Sequence, residues 1–214
     1  MKNYLRLLSL VLAGLLLVAC TTNTTVSGSW SDPAYEGQVK TVYLIGMSEN
    51  IANRYIFEDT FSQRLATAGV STIPSYVDFS EMASANRDEI RQRLASNGAD
   101  SVLLTRLVAQ RTEKLVIPKR FSASGYTAPP SYHIRPTYYS NWGRYYNRPI
   151  DVTYQPPDVD SSAVITVESV LYDVKSEKLI WAAQLETLVD GSIERMMREF
   201  VETVTHDLKS QGLI

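Results

Sequence analysis

Short apolar runs separated by helix-like segments between residues 40 and 109 are the feature that most restricts the fold. Residues 40–47, 70–73 and 101–109 each have the compact apolar composition of a buried strand. Strands that alternate with helices are typical of sheets built from strand–helix–strand units. The first half of the chain therefore predicts parallel strands with helices packed on them.

Two helices are predicted between these strands. The first covers residues 51–68 after a cap at Ser48 or Asn50, and Gly69 follows at the position that commonly ends a helix. The second begins after Asn86, where Glu89 three residues later completes a capping box. It ends before Gly98.

The second half of the chain has a different order. Residues 163–172 and 178–188 predict two strands joined as a hairpin, and a last helix begins near Ser192. We expect Trp181 to share one strand face with Leu179, Ala183 and Leu185, and to pack under that helix. The apolar stripe of the helix, at helical spacing, consists of Ile193, Met196, Met197, Phe200, Val201, Val204 and Leu208.

The complete order is β-α-β-α-β, a long insertion, then β-β-α. It predicts an α/β (α+β) fold, with one mixed sheet in a single domain over residues 39–214. The Tyr/Pro/Arg-rich insertion is assigned to residues 112–160.

The N-terminus has the layout of a secretory signal. Lys2 and Arg6 precede an apolar run at residues 7–19, and the chain's single cysteine, Cys20, follows. The apolar run is shorter than the roughly 20 residues that a membrane span needs. We expect residues 1–19 to be cleaved, and residues 20–38, rich in Thr and Ser, to form a flexible tether.

Residues 17–20, Leu-Val-Ala-Cys, resemble a bacterial lipobox. The resemblance implies a covalent diacylglycerol and an N-acyl lipid on Cys20, and hence membrane attachment through the lipid. Thr21 in place of an acidic residue implies sorting to the periplasmic side of the outer membrane.

Composition excludes several functions for the exported chain. Without residues 1–19 its formal net charge is −4, from 19 cationic and 23 acidic side chains, so it lacks the basic field of a nucleic-acid-binding protein. With Cys20 acylated, neither a disulfide nor a thiolate remains for stability or chemistry.

The order of elements, the Gly69-Val70 step and the strand around Trp181 resemble a group of periplasmic domains. These are the N-terminal domain of the Tol-system translocation protein, the outer-membrane activators of peptidoglycan synthases, and the curli-secretion lipoproteins. The resemblance covers roughly residues 39–111 and 161–213, and implies an envelope-associated binding role.

The sequence predicts neither catalytic residues nor metal ligands, and no cofactor beyond the lipid. Only His133 and His206 are present, and no glycine-rich phosphate loop occurs.

Glu58 falls on the apolar face that Ile51, Phe61 and Leu65 define, so an unpaired carboxylate there would be costly. We expect a structural ion pair with Arg54, joined by Arg106. An enzyme centred on Glu58, or on Asp158 and Asp160, is the weaker alternative.

The insertion is the most distinctive segment of the exported chain. Residues 114–150 contain six cationic side chains, no acidic one, and many tyrosines and prolines. Disorder, a partner-binding arm, contact with anionic lipid and stacking on peptidoglycan remain open. The candidate partner-binding residues are Arg135, Tyr138, Tyr139, Trp142, Arg144, Tyr145, Tyr146 and Arg148.

These patterns predict a non-catalytic binding or accessory lipoprotein in envelope assembly, with an envelope protein or peptidoglycan as partner. The alternative is a self-assembling pore or ring subunit of a secretion system. We further predict that the insertion is dispensable for folding. The oligomeric state is left open.

Overall fold

The computed structural model of the chain describes residues 23–80, 85–114, 141–147, 161–189 and 192–214. It shows a six-stranded mixed sheet with helices on both faces, so the predicted α/β class is confirmed. The elements are β1 (Thr24–Ser31), β2 (Thr41–Met47), α1 (Ile51–Ala66), β3 (Ser71–Pro74), a 3₁₀ turn (Ser75–Val77), α2 (Arg87–Asn97), β4 (Ser101–Lys114), α3 (Trp142–Tyr146), β5 (Ser161–Asp173), β6 (Leu179–Val189) and α4 (Ile193–Ser210).

The strand order across the sheet is β1-β6-β5-β4-β2-β3. β2 is parallel to both β3 and β4, whereas β5, β6 and β1 continue the sheet as antiparallel strands. The chain moves outward from β2 to β3 and then returns across β2 to β4. Because such crossovers share one hand, this reversal places α1 and α2 on opposite faces of the sheet.

The predicted caps hold the two helices of the parallel half. Asn50 caps α1 through its side chain, which accepts a hydrogen bond from the Asn53 backbone. Asn86 and Glu89 form the reciprocal capping box of α2. Gly98, at a φ of 69°, ends α2 in the left-handed conformation that glycine adopts without steric cost.

Each face of the sheet has its own apolar core. On the first face α1 and α4 cover a cluster that includes Phe61, Trp181 and Phe200. On the second face α2 and α3 cover a cluster that includes Ile90 and Trp142. Trp181 thus packs in one cluster with Phe200 as expected, and its Nε1 donates to Asp207 Oδ2 at 2.8 Å.

The N-terminal strand β1 corrects the predicted tether. Residues 20–38 were expected to be flexible, but Thr24–Ser31 pair antiparallel with β6 along the edge of the sheet. Without β1, β6 would itself be the unpaired edge. The hydroxyls of Thr24 and Thr187 are 3.0 Å apart in a buried pair. Thr, Val and Trp favour strands, so this segment completes the sheet despite its linker-like composition.

The insertion begins later than predicted. The strand expected at residues 101–109 continues to Lys114, because β5 pairs with it as far as Ser161. Residues 112–114 therefore belong to the sheet. A shift in register between Leu107 and Ala109 marks a bulge that lets the strand extend past its apolar half.

A second bulge corrects the predicted face of Leu179. Leu171 pairs with Trp181 but Tyr172 pairs with Leu179, which leaves Ile180 as the additional residue. Leu179 therefore joins the second-face core, whereas Trp181, Ala183 and Leu185 share the first face. Strict period-two alternation fails at this point.

Candidate functional site

One end of the sheet, here called the upper end, gathers several chain segments. β2 ends there at Met47, β6 ends at Val189, and β1 begins at Thr24. α1 and α4 also begin at this end, because each runs back along the first face. Lys114 and Ser161, where the chain leaves and re-enters the described part around the insertion, pair there as well.

A cleft opens at the upper end between α1 and α4, over the first face of β4, β5 and β6. Its volume is about 120 Å³, and we call it the upper cleft. Apolar side chains dominate its walls: Phe57, Leu107, Ile165, Met196, Met197 and Phe200. Met196 and Ile193, predicted as core, are only half-buried because they border this opening. The cleft suits an apolar group.

Arg54 and Glu58 form a buried ion pair beside the cleft. Arg54 Nε lies 3.1 Å from Glu58 Oε1, and the two side chains are 1% and 0% exposed. Glu58 Oε1 also accepts from the Gly46 backbone N–H at 3.0 Å and from Ser75 Oγ at 2.7 Å. Its Oε2 accepts from the Tyr76 backbone N–H at 3.0 Å.

The guanidinium of Arg54 also donates several hydrogen bonds. Nη2 donates to the Phe79 carbonyl at 2.7 Å and to Ser75 Oγ at 3.0 Å, and Nη1 donates to the Ser80 carbonyl at 3.2 Å. The pair therefore ties α1 to the end of β2 and to the segment after β3. Because both groups are fully hydrogen-bonded, they act as a structural bracket and not as reactive groups.

Two details of the predicted ion pair need correction. Arg106 does not join it: this residue lies on the second face, with its guanidinium carbon 5.8 Å from the ring centroid of Tyr145. Ile51 is 44% exposed and does not share the apolar face, because it stands in the first turn of α1. Phe61 and Leu65 alone form that buried face with the pair.

The helix α3, inside the insertion, overturns part of the predicted partner-binding surface. Trp142 and Tyr145 are 1% and 0% exposed, within the second-face core. The Tyr145 hydroxyl donates to Glu168 Oε2 at 2.9 Å. Arg87 stacks over Trp142 at 5.9 Å. These two aromatic residues stabilise the fold, so they are not available to a partner.

The other predicted binding residues are distributed differently. Arg144 is exposed on α3, and Tyr146 is half-buried with its hydroxyl donating to the Ala85 carbonyl at 3.0 Å. Burial raises the pKa of Tyr146. The rest of the set, Arg135, Tyr138, Tyr139 and Arg148, lies outside the described residues, as do Cys20, His133, Asp158 and Asp160.

Within the described ranges no group of three or more His, Cys, Asp or Glu side chains could hold a metal ion. In the same part of the chain, no helix is both long and apolar enough to span a membrane.

The upper cleft is the site that sequence reasoning missed. Its walls come from residues that the sequence marks only as core, and nothing local shows that the sheet and helices fail to close over them.

No protein-family model matches this chain, and no curated protein does. Among solved structures it is similar to the PelC dodecamer from Paraburkholderia phytofirmans, at 15% identity and a TM-score of 0.48 over 86% of this chain and 96% of that one. It is also similar to lipoprotein GNA1162 from Neisseria meningitidis, at 13% identity and a TM-score of 0.42 over 80% and 99% of the two chains. At these scores the likenesses do not decide a function.

Proposed function

We propose that this chain is a lipoprotein, acylated at Cys20 and held on the periplasmic side of the outer membrane, that binds a partner in envelope assembly without catalysis. The observation that supports this most is the start of β1 at Thr24. Cys20 precedes Asn23 by three residues, so an extended connection spans roughly 11 Å at most. The lipid would therefore hold the upper end against the membrane.

The residues that flank the insertion favour a partner at the upper end as well. Lys114 and Ser161 pair at the upper end, so the cationic insertion leaves the sheet on the side of the anchor. Arg144, on α3, is exposed and free of a steric role in the core. The proposed contact surface is Arg135, Tyr138, Tyr139, Arg144 and Arg148, without the buried Trp142 and Tyr145. The partner is an envelope protein with an acidic face.

The anchor is tested by replacing Cys20 with Ser. We expect the variant to lose fatty-acid label and to leave the outer-membrane fraction, as a precursor or as a soluble product. Two or more acyl chains attach a protein stably to a membrane, whereas a protein without acyl chains has no lipid anchor. An acylated Cys20→Ser protein in the outer membrane would refute the proposal.

The contact surface is tested by charge reversal at Arg135, Arg144 and Arg148. In-cell crosslinking should show loss of the captured partner, and salt should weaken the wild-type interaction. Arg64→Glu is the matched control, because Arg64 is exposed on the last turn of α1, away from the upper end. Equal partner capture by the triple variant and the control would contradict this role of the insertion.

A further inference from the structure

The upper cleft lies next to the point where the chain leaves towards Cys20. Thr187 lines the cleft, and its hydroxyl is 3.0 Å from that of Thr24. The backbone N–H of Asn23 donates to Glu199 Oε2 at 3.1 Å, on the helix that forms the opposite wall. A lipid on Cys20 would begin within roughly 11 Å of Asn23.

The chemistry of the cleft selects for hydrocarbon. Its walls combine rigid aromatic rings, Phe57 and Phe200, with the flexible thioethers Met196 and Met197, which adapt to irregular apolar shapes. Three charged residues also line the cleft, Glu49, Arg54 and Arg106. Of these, Arg54 already bonds to Glu58 and to the loop after β3.

The size of the cleft limits how much hydrocarbon it takes. Its volume is about 120 Å³. For comparison, an apolar cavity of about 150 Å³ in another protein binds one benzene molecule. The cleft thus accommodates a few methylenes of one chain and not a complete lipid.

We infer that the upper cleft binds part of one acyl chain of the lipid on Cys20 of the same molecule. This inference rests on the proposed acylation. Attachment to Cys20 makes the binding intramolecular, and short linkers give effective concentrations in the millimolar range. The chain's own lipid therefore outcompetes a second copy. When this chain is docked, it closes the apolar opening between α1 and α4.

A photo-crosslinkable lipid tests the inference in intact cells. Cells that express the full chain are grown with a diazirine-bearing palmitate analogue, irradiated, and the protein is digested for mass spectrometry. We expect acyl adducts on peptides of the cleft wall, in particular those that contain Ile165 or Met196. Val77, which is 69% exposed and does not line the cleft, reports background labelling.

The mass of the adduct identifies the source of the chain. The analogue also enters phospholipids, but a chain from the protein's own lipid joins the cleft peptide to the N-terminal peptide that begins at Cys20. Cleft adducts that carry a phospholipid in place of this peptide would overturn the inference. A tagged Cys20→Ser copy expressed beside the wild type should stay unlabelled; labelling of it would show that the lipid comes from a second molecule.

A cleft variant completes the test. Met196 is half-buried, so Met196→Lys should preserve the fold while placing a charge among the methylenes, and the adducts should disappear. Its melting transition shows whether the variant is folded. The intact mass of the N-terminal peptide is measured in every sample. Absence of acylation there refutes the proposed function, whereas acylation without cleft adducts refutes only the acyl-binding inference.

Discussion

The Arg54–Glu58 bracket shows how much a single carboxylate can organise. Glu58 accepts hydrogen bonds from Gly46, Arg54, Ser75 and Tyr76, which belong to β2, α1 and the 3₁₀ turn. The i, i+4 spacing makes the contact with Arg54 predictable from sequence. The other three partners approach only through the fold, so they could not be predicted.

We expect Glu58→Gln to destabilise the protein strongly. The substitution leaves the guanidinium of Arg54 buried without its counter-charge, and breaking a buried pair typically costs about 3–5 kcal/mol. Urea denaturation should show a much lower midpoint. Glu202→Gln, at an exposed site on α4, is the control and should stay within about 0.5 kcal/mol of the wild type. A Glu58→Gln midpoint equal to that of the control would disprove the bracket.

Tyr43 predicts a loss of stability in alkali. It is fully buried, and its hydroxyl donates to Asp78 Oδ2 at 2.9 Å. Burial first, and the hydrogen bond to Asp78 second, raise the pKa of Tyr43 well above 10. The folded state binds the Tyr43 proton more tightly than the unfolded state does. The contribution of Tyr43 to the free energy of unfolding is therefore complete below pH 10 and is lost as the pH rises above 10.

The measurement is the free energy of unfolding as a function of pH from 8 to 12. One retained proton gives a slope of at most about 1.4 kcal/mol per pH unit. The free energy of unfolding of Tyr43→Phe should fall less steeply above pH 10 than that of the wild type. A second alkaline contribution comes from Tyr76, whose hydrogen bond to Asp59 raises its pKa to about 12, so the difference between variants isolates Tyr43. Parallel curves for the two proteins would contradict the assignment.

At the level of elements, the sequence predicts those with strong local signals and misses those that depend on a neighbour. The capping box of α2 can be predicted from a stretch of four residues. In contrast, β1 consists mainly of Thr, Ser and Gly, as a linker does, and it is a strand because β6 pairs with it. α3 is five residues long inside a proline-rich segment, and it is stabilised by the Asn141 cap and by packing against the second face.

The packing of α3 corrects the expectation that the insertion is dispensable for folding. Trp142 and Tyr145 on α3 are 1% and 0% exposed in the second-face core. A side-chain carbon at Gly143 would lie 2.0 Å from Arg87 Nε, so an alanine there displaces the flexible end of the Arg87 side chain from its position over Trp142. We expect Gly143→Ala to cost about 0.5–1 kcal/mol, the size of one lost cation–π contact at a partly exposed site. Thermal denaturation measures this loss.

A double-mutant cycle provides the control. Arg87→Ala removes the atoms that the new methyl group meets, so Gly143→Ala should cost much less in that background. Equal costs in both backgrounds would show that α3 does not dock against Arg87. Deletion of residues 115–158, which removes Trp142 and Tyr145 from the core, should lower the melting temperature and not leave it unchanged.

At the level of the whole molecule, the edges of the sheet bear on self-assembly. β3 is four residues long and ends at Pro74, and β1 has a bulge between Val26 and Gly28. Short, bulged or proline-containing edges hinder pairing with another sheet. We therefore expect the unacylated chain to be a monomer by size-exclusion chromatography with light scattering. A defined higher oligomer would favour the alternative, a self-assembling ring or pore subunit.

The early start of β1 also limits how far the domain could stand from the lipid proposed on Cys20. A flexible connection over residues 20–38 would allow a separation of roughly 25 Å between the domain and that lipid. With the sheet beginning at Thr24, the separation allowed under the proposed acylation is about 11 Å. A partner of the acylated protein would then meet the upper end of the domain close to the bilayer surface.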